Sequence, residues 1–271
     1  MSSNNSTRRN NLLEVNNVSV TYSSRKYLFF KQKQHILTDI NFTLNREQTL
    51  VITGDAGSGK TTLLKLLTNP YIKHSGEIMV HGKPLSHFSR RNRVHFIRML
   101  PTDHSSAVNP HKKVNFILEQ PLRMNSDYSA IQREYRIDRI LELVGLSSNI
   151  KSLYPGFLTS NQLLRLSIAK TLITEPEILL VDANIEKLDA QLRSHCLNLF
   201  MDQQKEHGMA LIICLNDFGL IKHIADKILI LSQGRQEDYG NAKFIISQPQ
   251  KDITKRLIQD YNNEYRIRPG I

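Results

Sequence analysis

The run Gly54-Asp55-Ala56-Gly57-Ser58-Gly59-Lys60-Thr61 has the spacing G-x-x-x-x-G-K-[ST], and each residue type in it has a task in holding phosphate. Glycines let backbone N–H groups close around phosphate oxygens, and a following helix adds the partial positive charge of its N-terminus. The Lys60 ammonium reaches the β- and γ-phosphates, the Thr61 hydroxyl ligates Mg²⁺, and Thr62 continues the first helical turn. Asp182 follows the apolar run Ile178-Leu179-Leu180-Val181, where a carboxylate holds Mg²⁺ through water. The bland alternatives are a glycine-rich turn and a strand-end cap. A chance match to the loop pattern has a probability on the order of one in a hundred at ordinary glycine usage. A nucleoside triphosphate with Mg²⁺ is the expected ligand.

Such a loop needs a strand before it and a helix after it. Thr49 to Thr53 reads as the strand, and Leu63, Leu64, Leu66 and Leu67 as the buried face of the helix. Further strands are expected at Leu12 to Tyr22, Ile36 to Leu44, Glu177 to Asp182, Ala210 to Asn216 and Lys227 to Leu231. The later ones are apolar at successive positions, as in strands covered by helices on both faces of a mostly parallel sheet. Between them, Ile131, Tyr135, Ile140, Leu141, Val144 and then Leu163, Leu164, Leu166, Ile168 and Leu172 recur at helical spacing. The expected fold is therefore α/β: a P-loop core with a mostly parallel central sheet and an inserted α-helical subdomain. The expected boundaries are a loose polar tail at 1–10, the core at 11–102 and 176–240, the helical subdomain at 103–175 and an extension at 241–271. Within the extension, Ile253 to Ile258 fits a basic amphipathic helix.

The chain has 271 residues, 40% hydrophobic and 23% charged, which excludes disordered and collagen-like classes. Its net charge of +11 calls for an anionic partner. Cys196 and Cys214 have neither zinc-site nor C-x-x-C spacing, which fits a reducing cytoplasm. The first ten residues lack the apolar stretch of a signal peptide, and no apolar run approaches the roughly 18–20 residues of a membrane span. Any membrane role would be peripheral.

Leu158-Thr159-Ser160-Asn161-Gln162 precedes Asp182, and Leu188-Asp189 follows it. In this order the motifs resemble the ATP-binding cassette (ABC) family, over nearly the whole chain. That resemblance implies an N-terminal antiparallel β part as well. It also implies two cassettes closing head to tail, with Thr159, Ser160, Asn161 and Gln162 as the signature facing the partner's ATP and Asp189 in the D-loop. Tyr22 stands where the family stacks an aromatic ring on adenine; packing in the core is its alternative, and Tyr27, Phe29 and Phe30 are other candidates. Arg98 to Asp103, with Val108-Asn109-Pro110 and Thr254 to Ile258, resembles the oligopeptide and dipeptide importer branch. Within it, Arg123-Met124-Asn125, Val144-Gly145-Leu146, Tyr154-Pro155 and Lys222-His223-Ile224 resemble the Sap antimicrobial-peptide uptake systems. The implied partners are a second, SapD-like cassette, two permease subunits and a periplasmic binding protein, at the cytoplasmic face of the inner membrane.

The chain departs from the family where catalysis is expected. Ala183 replaces the glutamate after Asp182, and an alanine accepts no proton; losing such a group typically lowers the rate by about 10²–10⁴. Asn184 and Glu186 read as too far along the D-loop to substitute. Thr102 stands at the Q-loop glutamine position, and Asp217 where a histidine would donate to the γ-phosphate. Ser160 and Asn161 add side chains where the signature has glycines. No catalytic residue is intact by this reading, so MgATP binding with low turnover is expected.

Two alternatives stand beside a peptide-importer subunit. One is a non-hydrolysing regulatory cassette; the other is a soluble P-loop ATPase acting on nucleic acid, motivated by the charge. The basic and aromatic stretch Arg25 to Lys33 and the cluster Arg90, Arg91, Arg93 read as solvated surface, and no nucleic-acid partner is expected. His104, His111 and His223 read as surface residues without ligand spacing.

Overall fold

A computed structural model describes residues 11–27, 30–104 and 107–267. Ten strands form one sheet: β1 (Asn11–Tyr27), β2 (Phe30–Asn45), β3 (Thr49–Gly54), β4 (His74–Val80), β5 (Lys83–Pro84), β6 (Ile97–Leu100), β7 (Ile178–Val181), β8 (Ala210–Cys214), β9 (Lys227–Ser232) and β10 (Arg235–Asn241). Their order is β5-β4-β1-β2-β10-β9-β3-β8-β7-β6. From β9 to β6 neighbouring strands run parallel, whereas β5, β4, β1 and β2 pair antiparallel. The expected α/β cassette architecture is thus observed.

The helices are α1 (Lys60–Thr68), α2 (Arg90–Phe96), α3 (Val114–Asn125), α4 (Ala130–Leu143), α5 (Ser160–Leu172), α6 (Ala190–His207), α7 (Phe218–Ile224), α8 (Ala242–Ser247) and α9 (Asp252–Ile267). The apolar runs of β3, β7 and β8 serve two cores. Leu50, Ile52, Ile178, Leu180 and Ile212 pack on one face with Leu63, Leu64, Leu66 and Leu67 of α1. Val51, Leu179, Val181, Leu211 and Ile213 pack on the other with α5, α6 and the helical insertion. Each fully buried leucine contributes about 1.5–3 kcal/mol, so the loop between β3 and α1 is anchored at both ends.

Three expectations need correction. Ile131 and Tyr135 are exposed on α4, at 84% and 65%; Ile137, Ile140 and Leu141 form its buried face. Strands β4, β5, β6 and β10 were absent from the apolar pattern. The sequence of β10, RQEDYGN, lacks a hydrophobic period, and its strand form follows from pairing with β9 and, at Arg235, with Thr38 of β2. The C-terminal helix extends well beyond Ile258. Residues 1–10, and the side chains of Arg25, Lys26, Tyr27, Phe29, Phe30, Lys31 and Lys33, lie outside the described residues.

Candidate functional site

Gly54 and Gly59 are glycines for identifiable reasons. Gly54 has φ +141°, and a Cβ there would lie 1.9 Å from the Leu231 carbonyl oxygen of β9. Gly59 has φ +102°, and a Cβ there would meet Leu37 at 2.6 Å. The loop is thus wedged against β9 and β2 before α1 starts. No side chain caps α1, and helix geometry leaves the amides of Lys60, Thr61 and Thr62 without carbonyl partners. Asp55, Ala56 and Gly57 form the exposed rim, and Ser58 is buried beneath them.

Lys60 is buried, and its ammonium donates to the carbonyl oxygens of Gly54 at 2.6 Å and Asp55 at 2.9 Å, and to Ser58 Oγ at 3.4 Å. Burial lowers its pKa, and the charges of Asp182, Asp55 and Glu186 partly oppose that. All three acceptors are neutral, so the ammonium remains available to an anion. The Thr61 hydroxyl donates to Asp182 Oδ2 at 2.9 Å, joining residues far apart in sequence at the tips of β3 and β7. A hydroxyl and a carboxylate are the hard oxygen donors that Mg²⁺ takes, with phosphate and water completing its shell. Among the described residues no group of three His, Cys, Asp or Glu could hold a metal ion.

The remaining predicted residues fall elsewhere. Tyr22 is 48% exposed on β1, so the core-packing alternative fails. Thr102 is exposed beyond β6. Thr159 caps α5: its Oγ1 accepts from the Gln162 amide at 3.3 Å, and Gln162 Oε1 accepts from the Thr159 amide at 3.0 Å. Ser160 and Asn161 are exposed in the same turn. Asp189 caps α6 through Leu192 at 2.8 Å. Asp217 caps α7, its Oδ1 accepting from the Leu220 amide at 3.0 Å. The side chain of Ala183 lies outside the described residues.

Glu186 stands nearer the site than its place in the D-loop suggested. Its Oε1 accepts from the backbone amides of Asn216 and of Asp217, the latter at 3.0 Å, while Asn216 Oδ1 accepts from Thr53 Oγ1 at 3.2 Å. No local pattern announces this contact. His104 also differs from expectation, being half-buried, with no hydrogen-bond partner for its Nδ1 among the described residues; burial lowers its pKa.

A second feature lies between α1, α2 and β6 on one side and α5 on the other. This cleft of about 580 Å³ is lined by Arg90, Arg93, Arg98 and Lys170, with Ser167 and apolar residues, and by no Asp or Glu among the described residues. Arg93 donates to the Phe88 carbonyl and Lys170 to the Ala107 carbonyl. Arg98 has no hydrogen bond or ion pair among the described residues, and the buried Ser167 Oγ lacks a partner. Burial lowers the pKa of Arg98 and of Lys170, the latter also through the charge of Arg98.

Comparison with known proteins points the same way. The sequence profile of the family described as ABC transporter matches residues 37–185. The chain is 35% identical to the peptide transport system ATP-binding protein SapF of Salmonella typhimurium, over 93% of this chain and 94% of that protein. Identity and coverage are the same for the putrescine export system ATP-binding protein SapF of Escherichia coli K12. Among solved structures, the ATP-binding cassette MJ0796, dimeric and bound to ADP and Pi after hydrolysis, superposes with a TM-score of 0.73 at 20% identity, covering 85% of this chain and 99% of that one.

Proposed function

The chain belongs to the ABC transporter family, as an ATP-binding subunit, and from that premise we propose that it binds MgATP tightly, hydrolyses it slowly and energises peptide transport within a heterodimer. The carrying observation is the contrast within the site. Lys60, Thr61 and Asp182 converge beneath the loop, whereas Asp217 is turned into α7 as its cap and alanine occupies position 183. In this reading the loop amides and Lys60 bind the β- and γ-phosphates, and Thr61 and Asp182 hold Mg²⁺. The ion supplies neutralisation of charge on the transferring phosphoryl group. Tyr22 supports the adenine, and nothing at Ala183 takes a proton from water.

Thr159 to Gln162 then close over the nucleotide of a second, SapD-like cassette, with Asp189 at the shared interface. Permease subunits dock at the cleft, where an acidic cytoplasmic segment would satisfy Arg98 and Ser167; a periplasmic binding protein delivers cargo on the far side. No helix among the described residues is long and apolar enough to cross a membrane, consistent with a peripheral subunit at the cytoplasmic face of the inner membrane. Peptide is the proposed cargo from the oligopeptide-branch features. Putrescine, named for the Escherichia coli relative, is the competing cargo, since a cassette that never touches cargo carries no imprint of it.

The test is ATP turnover by the reconstituted complex: wild type, Ala183→Glu in this chain, and the partner cassette without its own catalytic carboxylate. Turnover that only the partner substitution abolishes supports a clamp assisting hydrolysis elsewhere. Turnover that survives it refutes the low-activity reading of this chain's own site.

A further inference from the structure

Helix α9 lies outside the strands and loops that build the phosphate site, yet it touches that site at two places. Arg256 donates to Asp55 Oδ2 at 2.6 Å, with both side chains about half exposed. One turn further on, the ring of Tyr261 lies 6.0 Å from that of Phe218, and its hydroxyl fills the space a Cβ on Gly219 would take, 2.5 Å away. The helix is moored by Thr254, fully buried, whose hydroxyl donates to Asp238 Oδ2 at 3.1 Å. Ile253, Leu257 and Ile258 pack on the main core. Arg256 is therefore held over the loop rim by a packed helix.

Asp55 is an awkward residue for a phosphate loop. Its carboxylate is close enough for its charge to be felt at Lys60, the ammonium that is to hold the triphosphate. A bare carboxylate there repels the ligand, whereas an ion-paired one presents little net charge. We propose that Arg256 is a positioning residue for nucleotide binding: by pairing with Asp55 it neutralises the one anion on the rim and holds that carboxylate away from the incoming phosphates. The C-terminal helix thereby becomes a part of the ATP site. This rests on the reading of the loop as that site.

The test measures equilibrium binding of a fluorescent ATP analogue with Mg²⁺ to the full chain, with folding checked by circular dichroism. Arg256→Ala is expected to weaken binding about three- to fivefold, the upper part of the range for loss of a half-exposed charge pair. Arg256→Lys should stay within about twofold of wild type, because a charge at that place suffices. The decisive variant is Asp55→Asn combined with Arg256→Ala, which should bind more tightly than Arg256→Ala alone, since no carboxylate remains to be neutralised. A purely structural role for α9 predicts no such rescue. Unchanged affinity in Arg256→Ala, or a double variant as weak as the single one, overturns the proposal. Absence of binding by wild type overturns the ATP-site reading itself.

Discussion

Replacing Arg98 with methionine should make the isolated chain more stable and its complex with the membrane subunits weaker. Its guanidinium is part-buried in the cleft beside Leu67, Ile97 and Met99 and has no counter-ion among the described residues. A fully buried unpaired ion carries an effective penalty of several kcal/mol; Arg98 keeps some contact with water, so about 1–2 kcal/mol should be recovered when an apolar chain of similar length replaces it. For a chain of this size that raises Tm by about 2–6 °C, measured by calorimetry. The pH dependence adds a second check. Lys170 has its pKa lowered below 10.5 by burial and then by Arg98. The native state therefore binds fewer protons than the unfolded chain in alkaline solution, and wild-type stability rises as pH climbs through the folded-state pKa. Without Arg98 that rise shrinks, so the advantage of the variant is greatest near neutral pH and narrows as the solution becomes alkaline. A drop in Tm of more than 2 °C at pH 7 would refute the assignment of Arg98 as an uncompensated charge, and an unchanged affinity for the permease subunits would refute the cleft as their docking place.

Lys60→Met should weaken ATP binding at least roughly thirtyfold, from about 2–5 kcal/mol for truncating one partner of a buried charge pair; fluorescence titration checks this, and chemical denaturation should show no loss of stability in the nucleotide-free chain. Burial pushes the Cys196 thiol up to about 11 and that of Cys214 further still, so at pH 8 both stay protonated. A thiol-reactive disulfide reagent should label neither in the folded protein and both after unfolding; rapid labelling of native protein would contradict their burial. Asp217→Ala should destabilise the chain by about 1 kcal/mol through loss of the α7 cap, whereas Asp217→Asn should not; urea denaturation distinguishes them.

How much of this was legible in sequence depended on how local each cause is. The phosphate loop is contiguous, and its strand and helix declare themselves by adjacent apolar runs, so Gly54 to Thr61 could be read directly. Asp182 was legible because a carboxylate ending a buried strand is conspicuous. Ile131 and Tyr135 misled because helical spacing reveals a period but not which face the tertiary structure covers. The polar strand β10 was invisible, since its conformation is imposed by β9 and β2. Glu186 on the amides of Asn216 and Asp217, and Arg256 on Asp55, join segments distant in the chain and leave no local trace. The cation-lined cleft was hidden for a related reason: Arg98, Ser167 and Lys170 come from two different layers.

The hydrogen bonds of Glu186 also decide how the turn after β7 is joined to the rest of the site. One carboxylate oxygen holds the two consecutive amides that lead into α7, and one of those residues, Asn216, is also tied through its side chain to Thr53 at the mouth of the loop. The turn Ala183–Lys187 and the start of α7 are therefore tied to each other and to the end of β3. A displacement of that turn would be passed through hydrogen bonds to the first residues of α7 and to the strand end that carries Thr53, and not absorbed within the turn itself.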